Sequence, residues 1–196
     1  MTASQQPTDQ LPPGQHEVAQ LRTKHYGKVP RIDLSRWSLN IGGDTLDGGA
    51  TMLRWEDFTA LPRAAVRADH HCAAGWSVTD LRWDGVAART ILDLAPPAPE
   101  VGHVLVSAVW GYSSSIRLAD LACDDAIFAT HLDGLPLTPE HGWPVRLVLP
   151  RLYGYKGPKW VQSLEYQQFP QRGFWEDRGY HLVGDAWREE RYSYQE

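Results

Sequence analysis

The sequence predicts a single α+β domain. Three observations lead there. Short apolar runs rich in β-branched residues are mixed with short helical segments, without the strict strand–helix–strand rhythm of a doubly wound sheet. No linker-like stretch divides the chain after His25. The length, 196 residues with 42% hydrophobic and 22% charged, suits one sizeable core of ordinary composition.

Taken in order, residues 1–20 are dominated by Gln, Pro and Gly and show no apolar period. They read as a flexible lead, with the folded domain over 21–196. Trp37–Ile41 reads as a strand that stops at the Gly42-Gly43 turn. Trp55–Leu61 reads as a short helix closed by Pro62. Ala65–His71 looks extended and runs straight into Cys72. Asp84 is a suitable N-cap for a helix over Val86–Leu94, before a sharp loop at Pro96, Pro97 and Pro99. His103–Val109 is an apolar, β-branched run and hence a buried strand. Leu118–Ala122 reads as a helical turn. Val145–Leu149, ended by Pro150, and Trp160–Tyr166 are two further strands.

Composition removes several function classes. No apolar run approaches the roughly 18 residues of a membrane span, and Met1–Gln15 is polar and Pro-rich, unlike a signal peptide. A cytoplasmic location is the expectation. The net charge of −5 gives a nucleic-acid role little support. Nine Trp, eight Tyr and four Phe suggest a core built on large rings. The two cysteines, Cys72 and Cys123, stand in a chain read as having no export signal, which disfavours a structural disulfide, and they are too far apart in sequence for a thiolate-rich zinc site, which needs close Cys or His pairs. Charge is uneven, however. Residues 119–140 hold Asp120, Asp124, Asp125, Asp133 and Glu140 without a Lys or Arg. Residues 141–172 hold Arg146, Arg151, Lys156, Lys159 and Arg172 against Glu165 alone. A basic stretch inside an acidic protein suits a small anion.

Three segments carry candidate chemistry. In His70-His71-Cys72-Ala73-Ala74-Gly75, a cysteine at a strand end is followed by small residues that leave its sulfur open. Adjacent His-His-Cys side chains in a strand point to opposite faces and cannot easily chelate one zinc. A Cys–His hydrolase with a distant histidine base stays open on these residues, although no Gly-x-Ser-x-Gly elbow occurs. The second segment is His141-Gly142-Trp143-Pro144-Val145-Arg146, where Arg146 offers a planar fork for phosphate. The third, Tyr153-Gly154-Tyr155-Lys156-Gly157-Pro158-Lys159-Trp160, allows a tight turn in which backbone amides and lysine charge can approach a ligand.

These segments, in this order, resemble the molybdopterin-binding domain shared by sulfite oxidases, assimilatory nitrate reductases and bacterial catalytic subunits that reduce methionine sulfoxide. The chain is most similar to short, stand-alone sulfite oxidase-like oxidoreductases of bacteria, from about His25 to Tyr192. Further motifs carry the resemblance: His25-Tyr26-Gly27, Trp83-Asp84-Gly85-Val86, Gly111-Tyr112-Ser113-Ser114-Ser115, Leu132-Asp133-Gly134-Leu135-Pro136, Gly173-Phe174-Trp175-Glu176 and Gly184-Asp185-Ala186-Trp187.

The resemblance implies a molybdenum–molybdopterin cofactor and no haem. It makes Cys72 the protein thiolate on the metal, a soft ligand for a redox-active ion. It gives His25, Tyr26, His141, Arg146, Gly157, Pro158 and Lys159 to the cofactor, with Lys159 rather than Lys156 facing the phosphate. Tyr112 falls where a tyrosine stands near the metal, its phenol able to hydrogen-bond an oxo ligand or substrate. His70 and His71 are assigned supporting roles. The implied activity is oxygen-atom transfer to or from a small sulfur or nitrogen oxo substrate, with electrons passed to a separate partner, by a monomer or small oligomer. One departure bears on the substrate. Sulfite oxidases carry an arginine at the position of Thr23, which here is flanked by Arg22 and Lys24. A non-catalytic module that binds the cofactor is the remaining alternative.

Overall fold

The computed structural model describes residues 10–196. In chain order the strands and helices are β1 (His16–Glu17), β2 (Ser38–Gly43), β3 (Thr51–Arg54), α1 (Trp55–Ala60), β4 (Arg63–Cys72), β5 (Trp76–Ala87), α2 (Ala88–Leu94), β6 (His103–Ala108), β7 (Ser113–Arg117), α3 (Leu118–Leu121), β8 (Ile127–Leu132), β9 (Leu135–Pro136), β10 (Arg146–Val148) and β11 (Val161–Gln167). Short 3-10 turns fill much of the rest. The architecture is α+β, as the sequence predicts.

The strands form two sheets. The first runs β1-β5-β8-β10, with β4 also on β5 and β9 also on β8; the second runs β3-β2-β11-β6-β7. In the second sheet β11 pairs parallel to β2 and antiparallel to β6. Val86 and Phe128 of the first sheet join Leu39, Val104 and Leu164 of the second in one buried cluster, closed by Phe58 of α1 and Ile91 of α2. A smaller cluster, including Trp76, Leu81, Trp83 and Ile127, also draws on β5. Trp83 and Val86 lie three positions apart along β5 and so serve opposite faces. Each fully buried large side chain contributes about 1.5–3 kcal/mol.

Two expectations need correction. Asp84 does not cap a helix: it lies within β5, and α2 begins only after Ala87. The Trp83–Ala87 stretch is instead paired with β8, and Gly85 is needed because a Cβ there would lie 2.1 Å from the Phe128 carbonyl oxygen. Nor is the whole of 1–20 a free lead. β1 pairs parallel with the start of β5; Met1–Asp9 fall outside the described residues. Among the described residues, no helix is long and apolar enough to cross a membrane.

Candidate active site

β4 and β5 form an antiparallel hairpin with Cys72 opposite Trp76 and Ala73-Ala74-Gly75 at its tip. Because side chains alternate along a strand, His70 and Cys72 share a face. Both line a cavity of about 350 Å³, a size ordinary for a small-molecule or cofactor site. His71, between them, is 1% exposed and turned away, its Nδ1 at 2.8 Å from Ser77 Oγ.

The nine candidate site residues converge, with one exception. His25, Tyr26, Cys72, Tyr112, His141, Arg146, Gly157 and Lys159 all line this cavity, although they come from five separate stretches of chain. Pro158 does not. It is buried, and its carbonyl accepts from Leu147 N at 2.9 Å, so it anchors the turn to β10. The turn itself demands glycine on steric grounds. A Cβ on Gly157 would lie 2.5 Å from Leu147 O, and one on Gly154 would lie 2.4 Å from His70 Cε1.

The cavity is strongly basic. None of the described residues lining it is Asp or Glu, whereas Arg22, Lys24, Arg146 and Lys159 all are lining residues. Arg146 is buried with its guanidinium over the Trp83 ring, 5.0 Å from the centroid, and Nη1 donates to His141 O at 3.3 Å. Its Nε is buried without a protein partner. Burial pulls Arg146 down to about 10, which still leaves it charged at neutral pH. Lys159 Nζ donates to Lys24 O and Glu140 O, both at 2.7 Å. Burial first, and then the nearby Arg146 charge, lower its ammonium to about 7. His141 bridges to Leu21 O at 3.3 Å and Thr138 Oγ1 at 3.2 Å.

Burial pushes the Cys72 thiol up, an effect partly countered by the Ala74 backbone amide and by Lys24, Arg191 and Arg22. The Tyr112 hydroxyl donates to Tyr155 O at 2.6 Å, and burial raises its pKa. Its proton is therefore committed to the protein, and the oxygen faces a ligand chiefly as an acceptor. That modifies the expectation of a phenol free to donate to an oxo group.

Lys156 and Lys159, three positions apart, have different fates. Lys156 is fully buried and donates to Ser115 O at 2.5 Å, Leu182 O at 2.6 Å and the Glu176 carboxylate. Glu176 also accepts from Ser114 Oγ at 2.9 Å and Ser115 N at 3.1 Å. This ion pair ties the turn to β7 and to the C-terminal segment, and Lys156 does not line the cavity.

Some of the lining lies outside the candidate set. The resemblance assigns His70 a supporting role, and two-residue periodicity from Cys72 places it on the same face. Arg22 and Lys24 reach the cavity while Thr23 does not, and the Arg22 guanidinium stands 5.6 Å from the Trp76 ring centroid. Tyr155 and Trp175, which fall within the motifs, and Tyr180 also form part of the wall, although none of them is among the candidate site residues.

The donor set suits a pterin-bound metal. Among the described residues no cluster of three or more His, Cys, Asp or Glu could hold an ion. A metal at Cys72 must therefore bring most of its ligands with it, as a dithiolene cofactor does. Arg146, whose Nε is buried without a partner, and the cavity-lining amines would suit the anionic end of such a cofactor.

Comparison with known proteins agrees. A family model described as the oxidoreductase molybdopterin binding domain matches residues 26–175. The chain is 36% identical over 185 residues to an uncharacterized oxidoreductase of Bacillus subtilis (strain 168), YuiH, covering 94% of this chain and 92% of that one. It is 30% identical over 164 residues to the putative protein-methionine-sulfoxide reductase subunit YedZ1 of Azospira oryzae, covering 83% of this chain and 62% of that one. It is 25% identical over 187 residues to human mitochondrial sulfite oxidase, but spans only 34% of it. The crystal structure of the sulfane dehydrogenase SoxCD from Paracoccus pantotrophus shares the fold, with a TM-score of 0.68 at 22% identity over 76% of this chain and 42% of that one. With the family model across three quarters of its length and a relative matched almost end to end, the chain belongs to the sulfite oxidase-like oxidoreductases that carry a molybdopterin-binding domain.

Proposed function

We propose that this oxidoreductase catalyses oxygen-atom transfer to or from a small sulfur or nitrogen oxo substrate at a molybdenum–molybdopterin centre, with electrons exchanged with a separate partner. The observation that carries the reading is the convergence of one cysteine sulfur and a carboxylate-free basic set on a single cavity. When bound, the cofactor supplies two-electron redox chemistry at the metal. Cys72 adds the protein thiolate. Lys159, Arg146 and His141 hold the phosphate end and fix the pterin's orientation. Tyr112 and Tyr155 wall the substrate side through a shared hydrogen bond. Arg22 and Lys24 add positive charge beside Cys72, where an oxo substrate would approach.

A Cys–His hydrolase fits these residues less well. His71 Nδ1 is engaged with Ser77, His141 with Thr138 and Leu21, and His25 Nδ1 with Gly27 O, and among the described residues no histidine, His70 on the same face included, forms a hydrogen bond with the Cys72 sulfur. The deciding experiment has two parts. Elemental analysis of protein made in a host competent for molybdenum-cofactor synthesis is expected to give close to one molybdenum per chain. A screen of oxo donors and acceptors with reduced and oxidised dyes is expected to give turnover. A metal-free chain that remains active refutes the reading. Full molybdenum without turnover on any oxo substrate leaves a cofactor-binding module in its place.

A further inference from the structure

The two ends of the described chain meet at the hairpin tip that carries Cys72. From the N-terminal side, His16 pairs with Trp76 and Glu17 with Ser77, and His16 N donates to Gly75 O at 3.0 Å. Gln15 Nε2 donates to Cys72 O at 3.2 Å, and its Oε1 accepts from Ser77 Oγ at 3.1 Å. From the C-terminal side, Arg191 Nη1 donates to Ala73 O at 2.6 Å. Its Nη2 donates to Pro13 O and Gly14 O, both at 3.4 Å. The guanidinium lies over the Tyr153 ring, 4.9 Å from the centroid, with the side chain 15% exposed. One planar cation thus ties the Cys72 loop, the N-terminal segment and the C-terminal segment together.

Both tethers lie outside residues 26–175, the part matched by the family model. The loop has few means of its own to stay in place. Ala73, Ala74 and Gly75 offer almost no side-chain packing, and the loop's internal bond is Gly75 N to Cys72 O at 3.0 Å. A functional group of this kind must be held to within about 0.5 Å of its productive geometry. We propose that Arg191, assisted by Gln15, is a positioning residue that locks the Cys72 loop so that its sulfur meets the metal in one geometry. The proposal rests on the molybdenum reading above.

The test uses the full chain with Arg191→Gln, Arg191→Lys and Gln15→Ala. Hydrogen exchange reports on the loop without reference to the metal. In Arg191→Gln the amides of Gly75, His16 and Val18 are expected to exchange tenfold or more faster, while Val106 and Leu164 in the second sheet stay protected. In molybdenum-loaded protein the thiolate-to-metal absorption is expected to shift or broaden, and kcat per molybdenum to fall about tenfold with KM within twofold. Arg191→Lys keeps one donor and is expected to restore part of each property. Gln15→Ala is expected to move them in the same direction by less, and it carries the test if Arg191→Gln does not fold. Unchanged exchange at Gly75 overturns the proposal. So does faster exchange with wild-type absorption and kcat, because Arg191 then holds a loop whose position does not matter to the metal. A wild-type chain that takes up no molybdenum refutes the metal reading and the positioning role together, and exchange still tells whether the clamp exists, so the two failures are distinguishable.

Discussion

Replacing Lys156 by methionine strands the Glu176 carboxylate in the interior. The two side chains are 1% and 0% exposed, so water cannot take over from the lost ammonium. Three acceptors lose their donor at once: Ser115 O, Leu182 O and Glu176 Oε1. What remains for Glu176 is the Ser114 hydroxyl and the Ser115 amide, and its Oε2 has no partner even with the lysine present. Breaking a buried pair from one side costs about 3–5 kcal/mol. For a domain of this size roughly 2–4 °C of Tm accompanies each kcal/mol, so a fall of roughly 6–20 °C is expected by calorimetry or circular dichroism. The double variant Lys156→Met/Glu176→Gln removes both charges and is expected to recover most of that loss, giving a coupling of about 2 kcal/mol or more in a double-mutant cycle. At temperatures where Lys156→Met is folded, it is expected to keep its cofactor better than Lys159→Ala does, because Lys156 supports the turn from behind while Lys159 reaches the cavity. A single-variant loss under about 1 kcal/mol, or a double variant as unstable as the two singles added together, refutes this account of the pair.

The remaining predictions concern the site. Cys72→Ser is expected to abolish turnover and remove the thiolate absorption, since a hydroxyl is a harder and poorer ligand; full activity per molybdenum counts against the metal assignment. Arg146→Ala and Lys159→Ala are each expected to lower cofactor occupancy after dialysis by tenfold or more, as charge-assisted bonds are worth roughly 1.5–3 kcal/mol. Wild-type retention in both places the phosphate elsewhere. Lys159 also sets a pH dependence. Its free-site value of about 7 means that binding an anion above that pH must draw a proton onto the amine. Affinity is therefore full below pH 7 and falls as pH rises, by up to tenfold per unit, and Lys159→Arg removes the slope; binding titrations at several pH values read it directly. Tyr112→Phe frees Tyr155 O, with an expected cost of about 1–3 kcal/mol of stability. It is also expected to lower the rate per molybdenum, because the substrate wall loses the bond that ties Tyr112 to Tyr155. An unchanged normalised rate retires Tyr112 from the substrate wall.

Much of this protein is local chemistry and is legible as such. Alternation along a strand puts His70 and Cys72 on one face whatever surrounds them, and small residues after Cys72 permit a tight hairpin tip. Pro62 and Pro150 stop their elements because they lack an amide hydrogen. The ordered motifs identify the family, since their spacing is a property of the chain alone. Other features belong to contacts between distant segments. Asp84-Gly85 has the local form of a helix start, but pairing with β8 supplies more hydrogen bonds than a cap could, and Gly85 admits the Phe128 carbonyl. Pro158 sits inside a ligand-like motif yet turns its carbonyl to β10. Lys156 and Lys159 carry the same charge on one turn, and in the sequence only the resemblance separates them; in the structure burial against Glu176 makes Lys156 a structural ion, while Lys159 lines the cavity. The docking of Gln15 and Arg191 on the Cys72 loop joins residues 57 and 118 positions apart. No local pattern encodes such an encounter, because its free energy comes from surfaces that exist only once both sheets have closed.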